Sequence, residues 1–314
     1  MAKITTLDAV KMARPDPDAI VAAGELVDLR FVSGNALSLR AAKLFCLLIQ
    51  EAGIAVAEDK QHRIPYAVLN ETFHKSRDEL AEAVMELHST VVSVQLVSRQ
   101  GRPYTKSGPI LSDVEREPDS LDDAEIRFEF SSTMRRVIAD STHWAGISRR
   151  AVLSFESRYS LRLYLWFSLR ANLRKTSEDV SLSDLRDLLG VPAGKLDNWQ
   201  HLKSRALDPA IAEINHLAGF HATYMPLKQG RRVAGVRLAW GLKDRAELVK
   251  AQKELDRPRV GRKARRAGLV ETIAQERHRL AESLANATGI DRTSPGHLGR
   301  RKTGLEPSRP DGEM

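Results

Sequence analysis

Residues 180–217, VSLSDLRDLLGVPAGKLDNWQHLKSRALDPAIAEINHL, carry the decisive pattern. Val180-Ser181-Leu182 reads as a short strand, after which Ser183 opens a helix through Leu185, Leu188 and Leu189. Gly190 and Pro192 stop that helix, because glycine supplies the left-handed turn after the last helical residue and proline cannot continue the hydrogen-bond ladder. Asn198 starts another helix that runs to about Leu217. Upstream, Tyr159, Leu163, Trp166, Phe167 and Arg170 recur at helical spacing across residues 156–172. Downstream, residues 220–225 and 233–240 alternate as strands do, around Lys228-Gln229-Gly230-Arg231-Arg232. Helix, short strand, helix, turn, helix and hairpin follow one another in the order of a winged helix-turn-helix. That arrangement lays one helix in the major groove and grips the backbone with the hairpin. Residues 156–240 are therefore expected to bind duplex DNA.

A helical wheel at about 3.6 residues per turn separates two faces of the third helix. Trp199, Leu202, Ala206, Ala210, Ile214 and Leu217 gather on the core side. Gln200, His201, Ser204, Arg205 and Asp208 face away, with Lys203 at the border. Arg205 is the first choice for base reading, since a guanidinium pairs bidentately with guanine; Gln200 suits adenine. His201 and Ser204 suit bases or phosphates, and Trp199 reads as a core anchor. Lys228, Arg231 and Arg232 sit at the wing tip, where long cations reach phosphates or the minor groove. Ser160 and Arg162, near the start of the first helix, are placed for a phosphate contact beside its N-terminal amides. The bland alternative for each is a surface salt bridge or plain solvation. Pro209 removes one backbone hydrogen bond and should bend the third helix.

The charge follows the same division. The chain has a net charge of +8, yet residues 1–147 hold 17 Lys and Arg against 22 Asp and Glu. Residues 148–240 hold 15 against 8, and residues 241–314 hold 17 against 11. Cations that neutralise phosphates release counterions, so a basic half beside an acidic one suggests that one half grips DNA. Cys46, the single cysteine among 314 residues, excludes an internal disulfide and a multi-cysteine metal site. No long apolar run or signal peptide is evident, and a cytoplasmic protein without cofactor, metal or membrane partner is expected.

The first half repeats the architecture loosely. Ser38 is placed to cap a helix ending at Gly53, 65–70 reads as a short helix, and Ser76 with Glu79 forms a capping-box pattern before the next. Val92, Val94 and Leu96 alternate as a half-buried strand, Gly101-Arg102-Pro103 turns the chain, 110–114 and 126–130 supply strands, and 134–140 a closing helix. Lys75, Arg77 and Arg102 are the upstream counterparts of the DNA-contacting cations. The acidic stretch 115–123 reads as a solvated loop. The expected organisation is a flexible segment at 1–24, winged helices at 25–147 and 148–242, and a basic tail at 243–314, partly helical and then disordered from 289. The fold class is α+β and helix-rich, with two tandem winged helices. The cluster Arg257 to Arg266 suits either phosphate contacts or a solvated linker.

Several motifs of the second domain, Tyr159-Ser160-Leu161-Arg162-Leu163-Tyr164, Leu207-Asp208-Pro209-Ala210, Glu213-Ile214-Asn215, and Gly230-Arg231-Arg232 leading into Val236-Arg237-Leu238, resemble the iteron-binding plasmid replication initiators. These are the two-winged-helix Rep proteins of theta-replicating bacterial plasmids, and the likeness spans roughly residues 25–242. The resemblance implies binding of directly repeated iterons, opening of an AT-rich segment, and help in loading the host replicative helicase, with the host initiator as a further partner. It also implies a homodimer, joined through the first domain, that represses its own promoter.

Catalytic readings fare poorly. A tyrosine-dependent nicking enzyme needs a His-apolar-His metal motif, and none of the nine histidines forms one. Residues 190–196 imitate a phosphate loop but lack one residue between the glycines and end in Leu196 where Ser or Thr would hold magnesium. The chain is expected not to be an enzyme. The nearer rival is a winged-helix transcriptional regulator without an initiator role, which would share every groove contact.

Overall fold

The computed structural model describes residues 4–13, 16–27, 30–32, 36–73, 77–98, 100–117, 124–171 and 175–268. The expected cap Ser76, the acidic residues 118–123 and the tail from 269 onward lie outside them. Within the first half, α1 (Thr6–Ala13), β1 (Ala19–Ala23), α2 (Gly24–Val27) and β2 (Arg30–Phe31) precede α3 (Leu39–Ala52). As expected, Ser38 caps α3 by accepting from the Ala41 N–H, and Gly53 at φ 53° closes it. The chain continues through β3 (His62–Pro65), α4 (Tyr66–Phe73), α5 (Arg77–Ser89), β4 (Val91–Val97), β5 (Pro103–Pro109), β6 (Leu111–Arg116), β7 (Glu125–Phe130), α6 (Ser132–Asp140) and β8 (Trp144–Ser148). Antiparallel pairing gives the sheets β2-β4-β5, β3-β7-β6 and β1-β8. Phe45, Phe128 and Phe130 pack edge-on beneath them, with His62 stacked on Phe128.

The second half begins with α7 (Arg149–Ser154) and α8 (Arg158–Arg170), followed by β9 (Ser177–Ser181) and α9 (Leu182–Leu189). Then come α10 (Trp199–Leu202), a π turn (Lys203–Leu207), α11 (Asp208–Leu217), β10 (Phe220–Gln229), β11 (Arg232–Leu242) and α12 (Arg245–Asp256). The hairpin adds β9 on its far edge in the order β10-β11-β9. Phe155, Tyr164, Trp166, Phe167, Phe220 and Trp240 form a continuous aromatic core under α8. Burying rings of this size is worth roughly 1.5–3 kcal/mol each, so this cluster contributes substantially to the stability of the domain.

Three expectations need correction, and one strand was not foreseen. The segment 1–24 is not a loose leader: Ile20 is 1% exposed and β1 pairs with β8 from Ala19↔Ser148 to Ala23↔Trp144. The boundary at 147/148 accordingly cuts through β8. The strand β5 goes unread because most of its residues are exposed and polar, with no apolar alternation to betray it. The acidic stretch is strand through Arg116, and Glu115, Glu117 and Glu125 clasp the Arg127 guanidinium at 3.5, 2.6 and 2.7 Å.

The two winged helices share one buried core within residues 1–266. Gly190, at φ 68°, lies so close to the first domain that a Cβ there would sit 2.6 Å from the Ala36 Cβ. Arg162 lies over the Phe31 ring at 5.3 Å. Among the described residues no helix is long and apolar enough to cross a membrane.

Candidate nucleic-acid interface

A short turn presents the third helix to solvent. Ser181, two residues earlier than expected, caps α9 by accepting from the Asp184 N–H, which leaves Ser183 hydrogen-bonded to its hydroxyl. Gly190 ends α9 in the left-handed region, its N–H reaching the Arg186 and Asp187 carbonyls. Arg186 then fastens the turn by donating to the Leu196 and Asp197 carbonyls, holding Leu196 at the unfavourable φ of 50°. Asn198 caps α10 by accepting from the Gln200 N–H at 2.7 Å.

The helix that follows absorbs Pro209 in an unanticipated way. Instead of a simple kink, residues Lys203–Leu207 widen into a π turn, and the Asp208 N–H reaches back five residues to the Lys203 carbonyl. Proline lacks an N–H and its ring collides with the carbonyl four residues back; a wider turn relieves that collision. Leu202, Ala206, Ala210, Ile214 and Leu217 are buried as the wheel requires, Leu207 joins them, and Trp199 is half-buried. Gln200, His201, Ser204 and Arg205 are exposed, and Lys203 sits at the border, 4.0 Å from Asp208. The Ser204 hydroxyl donates to the Gln200 carbonyl at 2.8 Å. Arg205 and His201 make no side-chain hydrogen bond or ion pair with the described residues. Tyr224 of β10 donates to the Asp208 carboxylate and meets the Trp199 ring edge-on, so the hairpin braces the outward face. Burial first, and then that carboxylate, pushes the Tyr224 phenol up, so it remains a donor.

At the wing, pairing runs to Gln229↔Arg232, leaving a two-residue turn with Gly230 at φ 63°. Both strands are thus longer than the sequence suggests, and a bulge between Leu227 and Lys228 twists the tip. Lys228, Arg231 and Arg232 are exposed. Lys195, in the turn before α10, is a further exposed cation that sequence reading assigned to the turn alone. Arg237 looks equally available in the sequence but is held bidentately by Asp179 at 2.6 and 2.7 Å.

Other candidates are placed differently. Ser160 is 0% exposed and turned toward Glu213, so its side chain is out of reach of a phosphate. Arg162 donates to the Leu188 and Asp187 carbonyls at 2.8 and 3.0 Å, closing the C-terminal end of α9. Burial thus removes the Ser160 side chain from solvent, whereas Arg162 is half-buried with its guanidinium partly occupied. Arg102 is exposed at the β4–β5 turn, Arg77 opens α5, and Lys75 lies outside the described residues. The basic cluster is not simply a solvated linker, although Arg257, Arg259 and Lys263 stay exposed. Arg262 is 1% exposed, and Arg265 binds Glu254 through both carboxylate oxygens. Burial alone would raise the Glu254 carboxyl; hydrogen bonds from Arg265 and the charges of His216 and Arg265 outweigh it and hold it at about 2. Among the described residues no group of three or more His, Cys, Asp or Glu could hold a metal ion.

Two tandem winged helices, the second with a cationic reading helix and wing, define a DNA-binding protein of the winged-helix class. The chain belongs to the initiator Rep proteins: residues 23–168 match the initiator replication protein WH1 and residues 181–240 the initiator Rep protein WH2. Among solved structures, it is similar to the Pi initiator protein in complex with iteron DNA, at 16% identity and a TM-score of 0.54. That alignment covers 72% of this chain and 98% of the other. Compared with curated proteins, the sequence matches none.

Proposed function

We propose that this chain initiates plasmid replication by binding directly repeated origin sequences, iterons, with Arg205 and Gln200 reading bases and Lys228, Arg231 and Arg232 gripping phosphates. The observation that carries this reading is that both winged helices match initiator families while Arg205 stands exposed on the reading helix, without an ion-pair partner among the described residues. Iteron DNA in the similar Pi initiator structure supports the choice of ligand. Binding of several copies strains the adjacent AT-rich duplex until it opens, and the exposed strand receives the host helicase, with the host initiator assisting. A dimer joined through the first domain represses the protein's own promoter. The protein acts in the cytoplasm on its plasmid and without covalent catalysis, because binding energy alone can deform DNA by several kcal/mol.

The test is transplantation. The gene and its flanking DNA are placed on a plasmid whose own origin is inactive in the chosen host. Stable replication that is lost with Arg205→Ala supports the reading. Replication that persists without the gene overturns it.

A further inference from the structure

The residues just beyond the second winged helix bind α7, the short helix at which the two domains join, and the body of the second domain. Pro258 and Gly261, at φ 80°, turn the chain back after α12, and residues 262–268 form a short last helix. From this strap, Arg259 donates to the Leu153 carbonyl at 3.0 Å and Arg262 to the Ser154 carbonyl at 3.2 Å. Those carbonyls lie at the C-terminal end of α7, the short helix linking the two domains. Helix ends leave carbonyls unpaired and carry partial negative charge, so cations are favoured there. From the first domain, Lys43 of α3 donates to the same Leu153 carbonyl at 2.8 Å.

On its other side the strap is fastened to the second domain. The Arg262 Nε lies 3.4 Å from the Glu254 carboxylate, and its Nη2 also donates to the Glu254 and Arg257 carbonyls. His216 of α11 faces the same carboxylate at 3.4 Å. Arg266 lies 3.4 Å from Glu213, which in turn accepts from the Glu156 N–H in the interdomain link. Arg150 of α7 joins Asp256, and its N–H donates to Asp18 just before β1. The strap lies beyond the family match, which ends at residue 240. A buried arginine spanning two partners is costly to strand, which makes this joint stiff.

We propose that residues 257–266 are a clamp fixing the angle between the two winged helices, with Arg262 as its positioning residue, and that this angle sets the spacing of DNA segments the two domains engage together. The second half of the proposal rests on the iteron reading above; the first does not. Arg259→Ala, at an exposed strap position, and Arg262→Lys are the variants least prone to misfold; Arg262→Ala is the strongest.

Two measurements on the full chain test it. Spin labels on Glu51→Cys in α3 and Thr223→Cys in β10 report the interdomain distance without DNA. The unsubstituted clamp should give one narrow distance, Arg259→Ala and Arg262→Ala a broad distribution, and Arg262→Lys an intermediate one. A distribution that stays narrow in both alanine variants overturns the clamp, whatever the DNA does. The second measurement uses the selected repeat duplex and versions with about 5 base pairs, half a helical turn, inserted between the segments protected by each domain. Insertion should weaken the parent protein by about a hundredfold, the scale of advantage that joint engagement confers. The clamp variants should discriminate far less between the duplexes. An undiminished insertion penalty in variants with broadened distances overturns the spacing role. Broadened distances in a protein that binds no repeats would leave the clamp standing while the iteron reading falls.

Discussion

Replacing Gly190 by alanine should destabilise the protein well beyond the cost of its backbone conformation, and Gly194 supplies the internal control. Both glycines hold a positive φ, 68° and 71°. For an L-residue the left-handed region costs about 1–2 kcal/mol. Around Gly194 a Cβ would meet nothing within 4 Å, so Gly194→Ala should show that cost alone. At Gly190 the Cβ would lie 2.6 Å from the Ala36 Cβ, 2.9 Å from the Arg162 Cδ and 3.0 Å from its Nε. Arg162 cannot swing aside freely, because its guanidinium is bound to the Leu188 and Asp187 carbonyls. Overpacking of this kind adds about 1–3 kcal/mol, bringing Gly190→Ala to about 2–5 kcal/mol in total. Urea unfolding of both variants beside the parent, compared through midpoints at constant slope, measures the difference. Equal losses for the two variants would refute the close approach of the domains at Ala36.

Arg205→Ala should weaken binding to the specific repeat by about 1–3 kcal/mol and relax preference at one base position, as read by competition among single-base variants of the site. Arg231→Ala should weaken all duplexes alike and lower the slope of log affinity against log salt by about 1, as measured by titration at several salt concentrations. Glu254, held at about 2 against an ordinary 4.5, stabilises the fold above the higher value. That stabilisation, up to about 3 kcal/mol, is lost as the pH falls from 4.5 towards 2. Unfolding free energies across that window should therefore fall more steeply for the parent than for Glu254→Gln.

The second domain was legible because its elements advertise themselves locally. The buried face of the third helix repeats at helical spacing, and Gly190 marks a chain reversal that only the left-handed region satisfies. The exposed set Gln200, His201, Ser204 and Arg205, with Lys203 at the edge, followed from the same wheel. What failed depends on partners distant in sequence. β1 carries no alternation and becomes a strand only against β8; the polar β5 becomes one only against β4. Ser160 and Arg162 carry the right chemistry for phosphate, but Ser160 faces the buried side of α8 and the half-buried Arg162 is occupied by the carbonyls at the end of α9, partners that lie far away in sequence. The cluster from Arg257 to Arg266 looks like any basic linker until Glu254, Glu213 and the α7 carbonyls come into place around it. The π turn before Pro209 was foreshadowed by the proline itself, although not in form.

The central claim is most directly tested by incubating the purified full-length protein with fragmented total DNA of its source, plasmids included, and sequencing what it retains. The account predicts enrichment of fragments bearing several direct repeats in register beside an AT-rich stretch, lost in Arg205→Ala. Enrichment of isolated inverted repeats scattered among chromosomal promoters would contradict it and make the protein a regulator.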